Sequence, residues 1–183
     1  MDWEFYILNY IQNNYRNDFL DKLMPVISTI TQLGAVWVVL MIITFFIPKH
    51  RRLGLMMLCN FALSLLICTV ILKPIVSRIR PYELNSYISL IVRPEIDSSF
   101  PSGHSFFAFS CATTCFIYNK KLGILMYALA FIVAASRLYL YVHFPTDVFF
   151  GILFGTITAI VSYCFFREIE SFRRNRLNNN TKK

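Results

Sequence analysis

The stretch LGILMYALAFIVAASRLYL, residues Leu122–Leu140, carries a single charged residue, Arg137, in an otherwise largely apolar run. Its length is close to the roughly 20 residues that cross the hydrocarbon core of a bilayer as an α-helix. The stretch therefore predicts a membrane-spanning helix, and the fold depends on whether similar runs recur along the chain.

Four further apolar runs recur along the chain, at Leu23–Ile47, Leu53–Leu72, His104–Tyr118 and Val148–Phe166. Hydrophobic residues make up 56% of the 183-residue chain, and its mean hydropathy is +0.54, which exceeds the usual values of soluble domains. We therefore expect an all-α integral membrane bundle of about five transmembrane helices, forming one domain over residues 1–183. The run His104–Tyr118 is short, so a re-entrant or buried helix is the alternative for it.

Residues 1–22 mix aromatic and aliphatic side chains with acids and amides. This mixture is typical of an amphipathic helix that lies in the membrane interface. A sixth, partial span is the alternative, because the apolar stretch is interrupted rather than absent. A signal peptide is not indicated, since the segment lacks a basic start and a cleavage site after a short apolar core.

Basic residues are unevenly divided between the loops that these spans define. The segments PKHRR (48–52) and NKK (119–121) and the basic tail (167–183) fall on one side, and the net charge is +8. The positive-inside rule places this side in the cytoplasm and the N-terminus outside the cell membrane. This pattern argues for orientation in a lipid bilayer rather than for nucleic-acid binding. We expect the tail to be disordered and solvated, with lipid headgroups as its alternative contact.

Polar residues at the ends of the predicted spans cluster on the opposite, outer side. Charged groups at membrane depth are costly, so residues of this kind are functional candidates. Taken singly, each also has a structural explanation, as a cation that reaches the headgroups, a packed histidine or a helix cap. Together they predict an anion site assembled from four separate elements, from Lys73, Arg78, Arg80, Ser102, His104, Arg137, His143 and Asp147.

The residue types in this cluster suit a phosphate group. Lysine neutralises a dianionic phosphate, and arginine orients its oxygens through forked hydrogen bonds. Ser102 and Gly103 precede a predicted helix whose free backbone N–H groups offer an anion site, and glycine lets the backbone come close.

Two histidines in the cluster suggest phosphoryl-transfer chemistry. His143 and Asp147 are four residues apart, and Pro145 between them suits a first helical turn. Asp147 can then reach one ring nitrogen of His143, fix its tautomer and leave the other nitrogen free to attack. His104 is the remaining candidate, as proton donor to the leaving oxygen.

The spacing of these residues resembles the three-part signature of the type 2 phosphatidic acid phosphatase family, membrane relatives of the vanadium haloperoxidases. The three parts are Lys73 with Arg80-Pro81, then Pro101-Ser102-Gly103-His104, then Ser136-Arg137 with His143 and Asp147. The resemblance implies that His143 forms a phosphohistidine, that Asp147 orients it, and that His104 protonates the leaving group. It also implies a phosphate cradle, formed by Lys73, Arg80, Ser102, Gly103 and Arg137. It implies neither a metal nor a cofactor.

Arg78 is not a signature position, so we expect it to contact headgroups or the surface. The segment between Tyr82 and Phe100 is too polar to span. The spacing of Leu84, Tyr87, Ile88 and Ile91 favours a short surface helix there, and a connecting loop is the alternative.

The resulting hypothesis is a phosphatase of lipid phosphates or diphosphates that acts on the extracytoplasmic leaflet, is independent of metals and is inhibited by vanadate. The resemblance favours undecaprenyl diphosphate as substrate, followed by phosphatidylglycerophosphate or phosphatidic acid. A lipid phosphotransferase and a non-enzymatic membrane scaffold are the rival hypotheses.

Overall fold

The structure, a computed structural model, describes residues 2–85 and 87–180. These residues form α-helices joined by short turns and loops, without a β-strand, which confirms the all-α expectation. The helices are α1 (Asp2–Tyr15), α2 (Asp18–Ile30), α3 (Ala35–Phe46), α4 (Arg51–Ser64), α5 (Lys73–Val76), α6 (Pro81–Leu84), α7 (Gly103–Tyr118), α8 (Lys120–Tyr139) and α9 (Pro145–Asn180). A π-helical stretch, Leu65–Leu72, joins α4 directly to α5.

Helix α7 lies at the centre of the bundle and packs against α4, α8 and α9. Every side chain from Ser105 to Cys115 is buried. Two glycines of α9 allow it to lie close to α7: a Cβ at Gly151 would lie 2.7 Å from the Ser102 carbonyl oxygen, and one at Gly155 would lie 2.3 Å from that of Phe106. This contact fixes the start of α9 against the start of α7.

Fewer of the described helices are long and apolar enough to cross a membrane than the about five that the sequence predicts, so that number stays a prediction. Within the described residues, three segments are long and apolar enough to cross: Pro48–Leu84, Lys120–Tyr139 and Pro145–Arg173. A fourth crossing is possible if the bent pair α2 and α3 forms one span. Helix α7 has 16 residues, fewer than the roughly 20 of a full crossing. It nevertheless runs alongside the span Pro48–Leu84, because Gly103 at its start borders Lys73 and Tyr118 at its end contacts His50.

The predicted first span, Leu23–Ile47, is broken near its middle. Helices α2 and α3 meet at an angle of 50° across the 3₁₀ turn Gln32–Gly34. Gly34 has φ = 73°, a left-handed conformation that glycine adopts without a steric penalty. The break therefore falls at Gly34, just after the polar residues Ser28, Thr29, Thr31 and Gln32, which the average hydropathy of the run conceals.

Residues 1–22 do not form one continuous helix. Helix α1 ends at Tyr15. Asn17 is the N-cap of α2: its backbone is extended, and its side-chain oxygen accepts a hydrogen bond from the N–H of Leu20. Helix α1 packs against α8 and α9, with Leu8 fully buried. The N-terminal segment is thus packed on the bundle through one face.

The basic tail is also more ordered than predicted. Helix α9 continues through residues 167–180, where the sequence offers no glycine or proline to end it. Arg52 forms an ion pair of 2.8 Å with Glu170 on this extension. Lys182 and Lys183 lie outside the described residues.

Residues 85 and 87–102 form a loop, so the surface helix predicted from Leu84, Tyr87, Ile88 and Ile91 is wrong and the alternative of a connecting loop is observed. Long-range contacts hold this loop instead of local helical ones. The hydroxyl of Tyr82 donates to the Glu95 carbonyl oxygen, and the N–H of Ser99 donates to the Arg78 carbonyl oxygen. The loop thereby carries residues 95–99 over the buried polar cluster.

Candidate active site

Five of the predicted site residues lie in one buried polar cluster. They come from separate elements: Lys73 begins α5, Arg80 precedes α6, Arg137 lies in the last turn of α8, His143 lies in the turn after α8, and Asp147 lies in the first turn of α9. All five side chains are buried, with relative exposures between 0% and 8%. Such a concentration of buried charge is costly unless the groups are paired or serve a ligand.

The imidazole of His143 is held in one tautomer by the backbone. Its Nδ1 lies 2.8 Å from the carbonyl oxygen of Ser99, and a carbonyl can only accept a hydrogen bond. Nδ1 therefore carries the proton, and Nε2 presents a free electron pair. Nε2 faces the cluster, 3.4 Å from Nη1 of Arg80.

Burial and then the charge of Arg80 hold the pKa of His143 well below its usual value. A lowered pKa means that the ring is neutral at any pH above that value, so it is neutral around pH 7. A neutral imidazole with a free Nε2 pair is the form that can act as a nucleophile.

Asp147 does not contact His143 directly, contrary to the prediction from their spacing. Its Oδ2 lies 3.8 Å from Nδ1, beyond hydrogen-bonding distance. The same oxygen accepts from the hydroxyl of Ser99 at 2.5 Å and from the N–H of Phe144 at 2.9 Å. Asp147 thus reaches the histidine through Ser99, a residue that the sequence analysis missed.

Arg78 is part of this site rather than a headgroup or surface contact. Its Nη1 donates to Oδ1 of Asp147 at 2.6 Å and to the hydroxyl of Thr146 at 2.7 Å. Its Nη2 donates to Oε2 of Glu4 at 2.7 Å, and its guanidinium lies 4.1 Å from the centre of the Phe144 ring. Both oxygens of Asp147 are therefore occupied by donors, which stabilises the carboxylate form.

Glu4 links α1 to the same network. Its Oε1 accepts from the hydroxyl of Thr146 at 2.6 Å, while Oε2 accepts from Arg78, and the side chain is almost fully buried. The pattern offered one signal for Arg78: it lies two residues before Arg80 in a non-helical stretch, where alternate residues can face the same side. No sequence pattern marks Glu4, because its partners lie 74 and 142 residues away.

Three cations lie on the Nε2 side of His143, namely Lys73, Arg80 and Arg137. Two carboxylates of the loop, Glu95 and Asp97, pair with them. Nη2 of Arg80 lies 2.6 Å from Oε2 of Glu95 and 2.5 Å from Oδ1 of Asp97, and Lys73 also pairs with Asp97. Burial raises the pKa of Asp97, but hydrogen bonds and charge from Lys73 and Arg80 outweigh it and lower that pKa. Nη1 of Arg137 is buried, has no hydrogen-bond partner among the described residues, and lies 3.6 Å from Oε1 of Glu95.

Ser102 and Gly103 lie at the start of α7, beside the cations. Ser102 is the N-cap, its hydroxyl accepts from that of Ser105 at 3.1 Å, and its N–H donates to the carbonyl oxygen of Asp147 at 3.0 Å. A Cβ at Gly103 would lie 3.8 Å from Cε of Lys73. The helix cap considered for Ser102 is thus observed, and Gly103 borders the cationic cluster.

His104 lies beside a half-open cavity of about 490 Å³ whose lining also includes Lys73, Glu95 and Asp97. Its Nε2 is 3.3 Å from the carbonyl oxygen of Ser28 in α2. Since that oxygen can only accept, Nε2 carries a proton and Nδ1 is the nitrogen left for other partners. Within the described parts of the chain, no group of three or more His, Cys, Asp or Glu side chains is arranged to hold a metal ion.

Comparison with known proteins identifies relatives of this chain. Residues 49–170 match the family model of the PAP2 superfamily. The chain is 30% identical over 142 residues to the bacitracin transport permease protein BcrC of Bacillus licheniformis, covering 75% of this chain and 69% of that protein. It is 27% identical over 128 residues to an undecaprenyl-diphosphatase of Sulfolobus acidocaldarius, covering 69% of this chain and 62% of that protein.

The fold is similar to a solved structure as well. The crystal structure of a transmembrane PAP2-type phosphatidylglycerolphosphate phosphatase from Bacillus subtilis superposes with a TM-score of 0.74 at 27% sequence identity. The similarity covers 92% of this chain and 86% of that one. It therefore extends beyond the matched family region, residues 49–170.

Proposed function

Because the chain belongs to the PAP2 superfamily of membrane lipid phosphatases, we propose that it hydrolyses a lipid phosphate or diphosphate through a phosphohistidine on His143. One observation carries this proposal: the free Nε2 pair of His143 faces a buried cluster of cations. Nη1 of Arg137, which has no hydrogen-bond partner among the described residues, is a donor that a phosphate oxygen can satisfy.

The proposed reaction has two steps. Nε2 of His143 attacks phosphorus, the bond from phosphorus to the leaving oxygen breaks, and that oxygen takes the electron pair. In its imidazolium form His104 carries a second proton on Nδ1, the nitrogen that its Ser28 contact leaves free, and it gives this proton to the leaving oxygen and becomes neutral. Water then attacks phosphorus and gives its proton to His104, and the phosphorus–nitrogen bond breaks to restore His143.

The remaining cradle residues stabilise the charge that develops on the phosphoryl oxygens. Lys73, Arg80 and Arg137 supply positive charge, and Ser102 with Gly103 supplies the N-terminal end of α7. Asp147 acts indirectly, by holding Ser99 in place behind the nucleophile. The cations take the role that a metal has in other phosphatases, so activity is expected without one.

The favoured substrate is undecaprenyl diphosphate, supported by the name of the Sulfolobus relative. The similar Bacillus subtilis structure, a phosphatidylglycerolphosphate phosphatase, supports phosphatidylglycerophosphate as the second candidate. The chain is a membrane protein, and its basic loops favour an active site on the extracytoplasmic side with the C-terminus in the cytoplasm.

The test is phosphate release by purified protein from undecaprenyl diphosphate, phosphatidylglycerophosphate and phosphatidate, in the presence of a chelator. We expect turnover without added metal and inhibition by vanadate, which mimics the five-coordinate phosphoryl centre. Acid-labile phosphate bound to the protein should appear in rapidly quenched reactions and be absent from His143→Ala.

His50→Ala is the matched control, because His50 contacts Tyr118 in a different part of the fold, so this variant should still be labelled. A strict requirement for a divalent ion, or labelling of His143→Ala, would contradict the proposal.

A further inference from the structure

The carboxylate of Glu95 lies in the middle of the cationic cluster. Its Oε2 is 2.6 Å from Nη2 of Arg80 and 3.9 Å from Nε2 of His143, and its Oε1 is 3.6 Å from Nη1 of Arg137. No other carboxylate among the described residues is recorded within 4.0 Å of Nε2. Glu95 thus presents two anionic oxygens to the groups that the proposed function assigns to phosphate.

A phosphoryl group cannot share this position with the carboxylate. For His143 to attack, phosphorus must lie about 3 to 3.5 Å from Nε2, with its oxygens directed at the surrounding cations. An oxygen of Glu95 already lies 3.9 Å from Nε2, and two anions at such a distance repel each other in a buried site. Either the carboxylate leaves or the phosphate does not enter.

We propose that Glu95 is a specificity-determining residue, whose carboxylate occupies the phosphoryl position of the free enzyme and must be displaced by the substrate. The proposal rests on the proposed function. A phosphate group alone has to compete with the carboxylate for Arg80. A lipid substrate adds contacts away from the phosphate, and this binding free energy can be used for the displacement. The enzyme thereby disfavours inorganic phosphate, its own product, and small soluble phosphate esters.

The surroundings of Glu95 allow such a displacement. Its side chain is 26% exposed, whereas that of Arg80 is 1% exposed, so the carboxylate is the member of the pair nearer to solvent. Glu95 lies in a loop, anchored through its backbone carbonyl by the hydroxyl of Tyr82. The cavity of about 490 Å³ beside the cluster is lined by Glu95 and by Arg93, which offers the displaced carboxylate another cation. A side-chain rotation is sufficient, and the backbone need not move.

Asp97 has a different part in this arrangement. It pairs with both Lys73 and Arg80 from the outer side, and no contact with His143 or Arg137 is recorded for it. It therefore keeps the two cations in position when Glu95 departs. Removing the charge of Glu95 should consequently improve phosphate binding without dispersing the cations.

The test is Glu95→Gln, which removes the charge and keeps the size of the side chain. We expect the inhibition constant of inorganic phosphate and the KM for a soluble aryl phosphate to fall at least about 10-fold, the usual contribution of a hydrogen bond to a charged group. The kcat for a lipid substrate should change little. Glu83→Gln is the matched control, since Glu83 is exposed in α6 just before the same loop, and both constants should equal those of the wild type.

An unchanged or increased inhibition constant for Glu95→Gln would overturn the proposal, because it would mean that Glu95 helps to hold Arg80 for phosphate. If the glutamine of Glu95→Gln itself bonds to Arg80, Glu95→Ala is a second test. The inhibition constant of phosphate and the KM for the aryl phosphate should again fall. Failure of the proposed function is distinguishable: the wild type would then release no phosphate, or His143→Ala would retain activity.

Discussion

His143 donates its Nδ1 proton to the backbone carbonyl of Ser99, and the Ser99 hydroxyl donates to Asp147. The histidine tautomer is therefore set by a main-chain group that no substitution removes. The carboxylate of Asp147 orients the residue that carries this carbonyl. Such a partner, one step removed from the reacting ring, is a common way of fixing a functional histidine.

Ser99→Ala should lower kcat for phosphate release by about 10-fold, because Asp147 loses a strong donor while the Ser99 carbonyl still holds His143. Asp147→Asn should lower kcat further. Arg78 donates to one oxygen of Asp147, and Ser99 and Phe144 donate to the other, so the amide nitrogen of asparagine would face a donor in either orientation. Ser110→Ala, an equal change within buried α7, is the control and should retain wild-type kcat. Full activity of Ser99→Ala would show that Asp147 does not act through this hydroxyl.

Arg78 and Glu4 should behave as one unit. We expect Arg78→Ala to lower kcat by about 100-fold, because Asp147 loses its only recorded ligand at Oδ1, and Glu4→Gln by about 10-fold. The double variant should be no worse than Arg78→Ala, since the second change removes an interaction that is already lost. Steady-state kinetics of the three variants give the coupling free energy.

The exposed Arg52–Glu170 pair is the control for this cycle, and Arg52→Ala should leave kcat unchanged. Additive losses for Glu4 and Arg78 would mean that Glu4 stabilises the fold without positioning Arg78.

His143 should remain neutral in mildly acidic solution. Its pKa is lowered by burial, so the ring gains a proton only well below the usual value of about 6.5. Nitrogen NMR of ¹⁵N-histidine-labelled protein in micelles should show a neutral ring protonated at Nδ1 at about pH 6. The chain has three histidines, so His50→Gln and His104→Gln assign the signals. A charged ring at that pH, or a proton on Nε2, would contradict the assigned tautomer.

The two histidines should differ in their dependence on the leaving group. His143→Ala should abolish turnover of every substrate, because no covalent intermediate can form. His104→Ala should lose on the order of 10² to 10⁴ in rate on phosphatidate, whose alkoxide needs a proton. It should lose much less on a prenyl diphosphate or an aryl phosphate, whose leaving groups are stable near neutral pH. Equal losses of His104→Ala on all three substrates would mean that its role is not that of an acid.

The orientation in the membrane can be tested by thiol labelling of intact cells. In a chain whose native cysteines are replaced by alanine, Ile96→Cys should react with an impermeant reagent and Lys121→Cys should not. Both positions are exposed, so the difference reports the side of the membrane. The positive-inside rule motivates this expectation. Labelling of Lys121→Cys alone would place the site in the cytoplasm.

The charged cluster could be predicted from the sequence for two reasons. Buried charge is costly, and the charged residues stand at the spacings of the three-part signature. Lys73, Arg80, Arg137, His143 and Asp147 are brought together as that reasoning requires. It could not find the Ser99 carbonyl, because every residue has one and only the tertiary fold selects which of them is used. It paired Asp147 with His143 directly, because helical spacing says nothing about a third residue between them.

The errors in the fold have similar causes. The run Leu23–Ile47 is apolar on average in spite of Ser28, Thr29, Thr31 and Gln32, so its average hydropathy does not show the left-handed turn at Gly34. The contact between α1 and the active site could not be predicted, because Glu4 is one of several acids in a segment whose pattern indicates only an amphipathic helix. The turn depends on the backbone conformation of one residue and the Glu4 contacts depend on residues distant in sequence, and composition and periodicity contain neither.

The position of Glu4 has a consequence for biosynthesis. Glu4 is synthesised before its partners Arg78 and Thr146, which follow 74 and 142 residues later. A carboxylate is costly to bury without partners, so α1 cannot take its final place while the chain is still short. The nascent protein therefore completes its phosphate site only after the start of α9 has been made, and fragments that end earlier have no assembled site to react with membrane lipids.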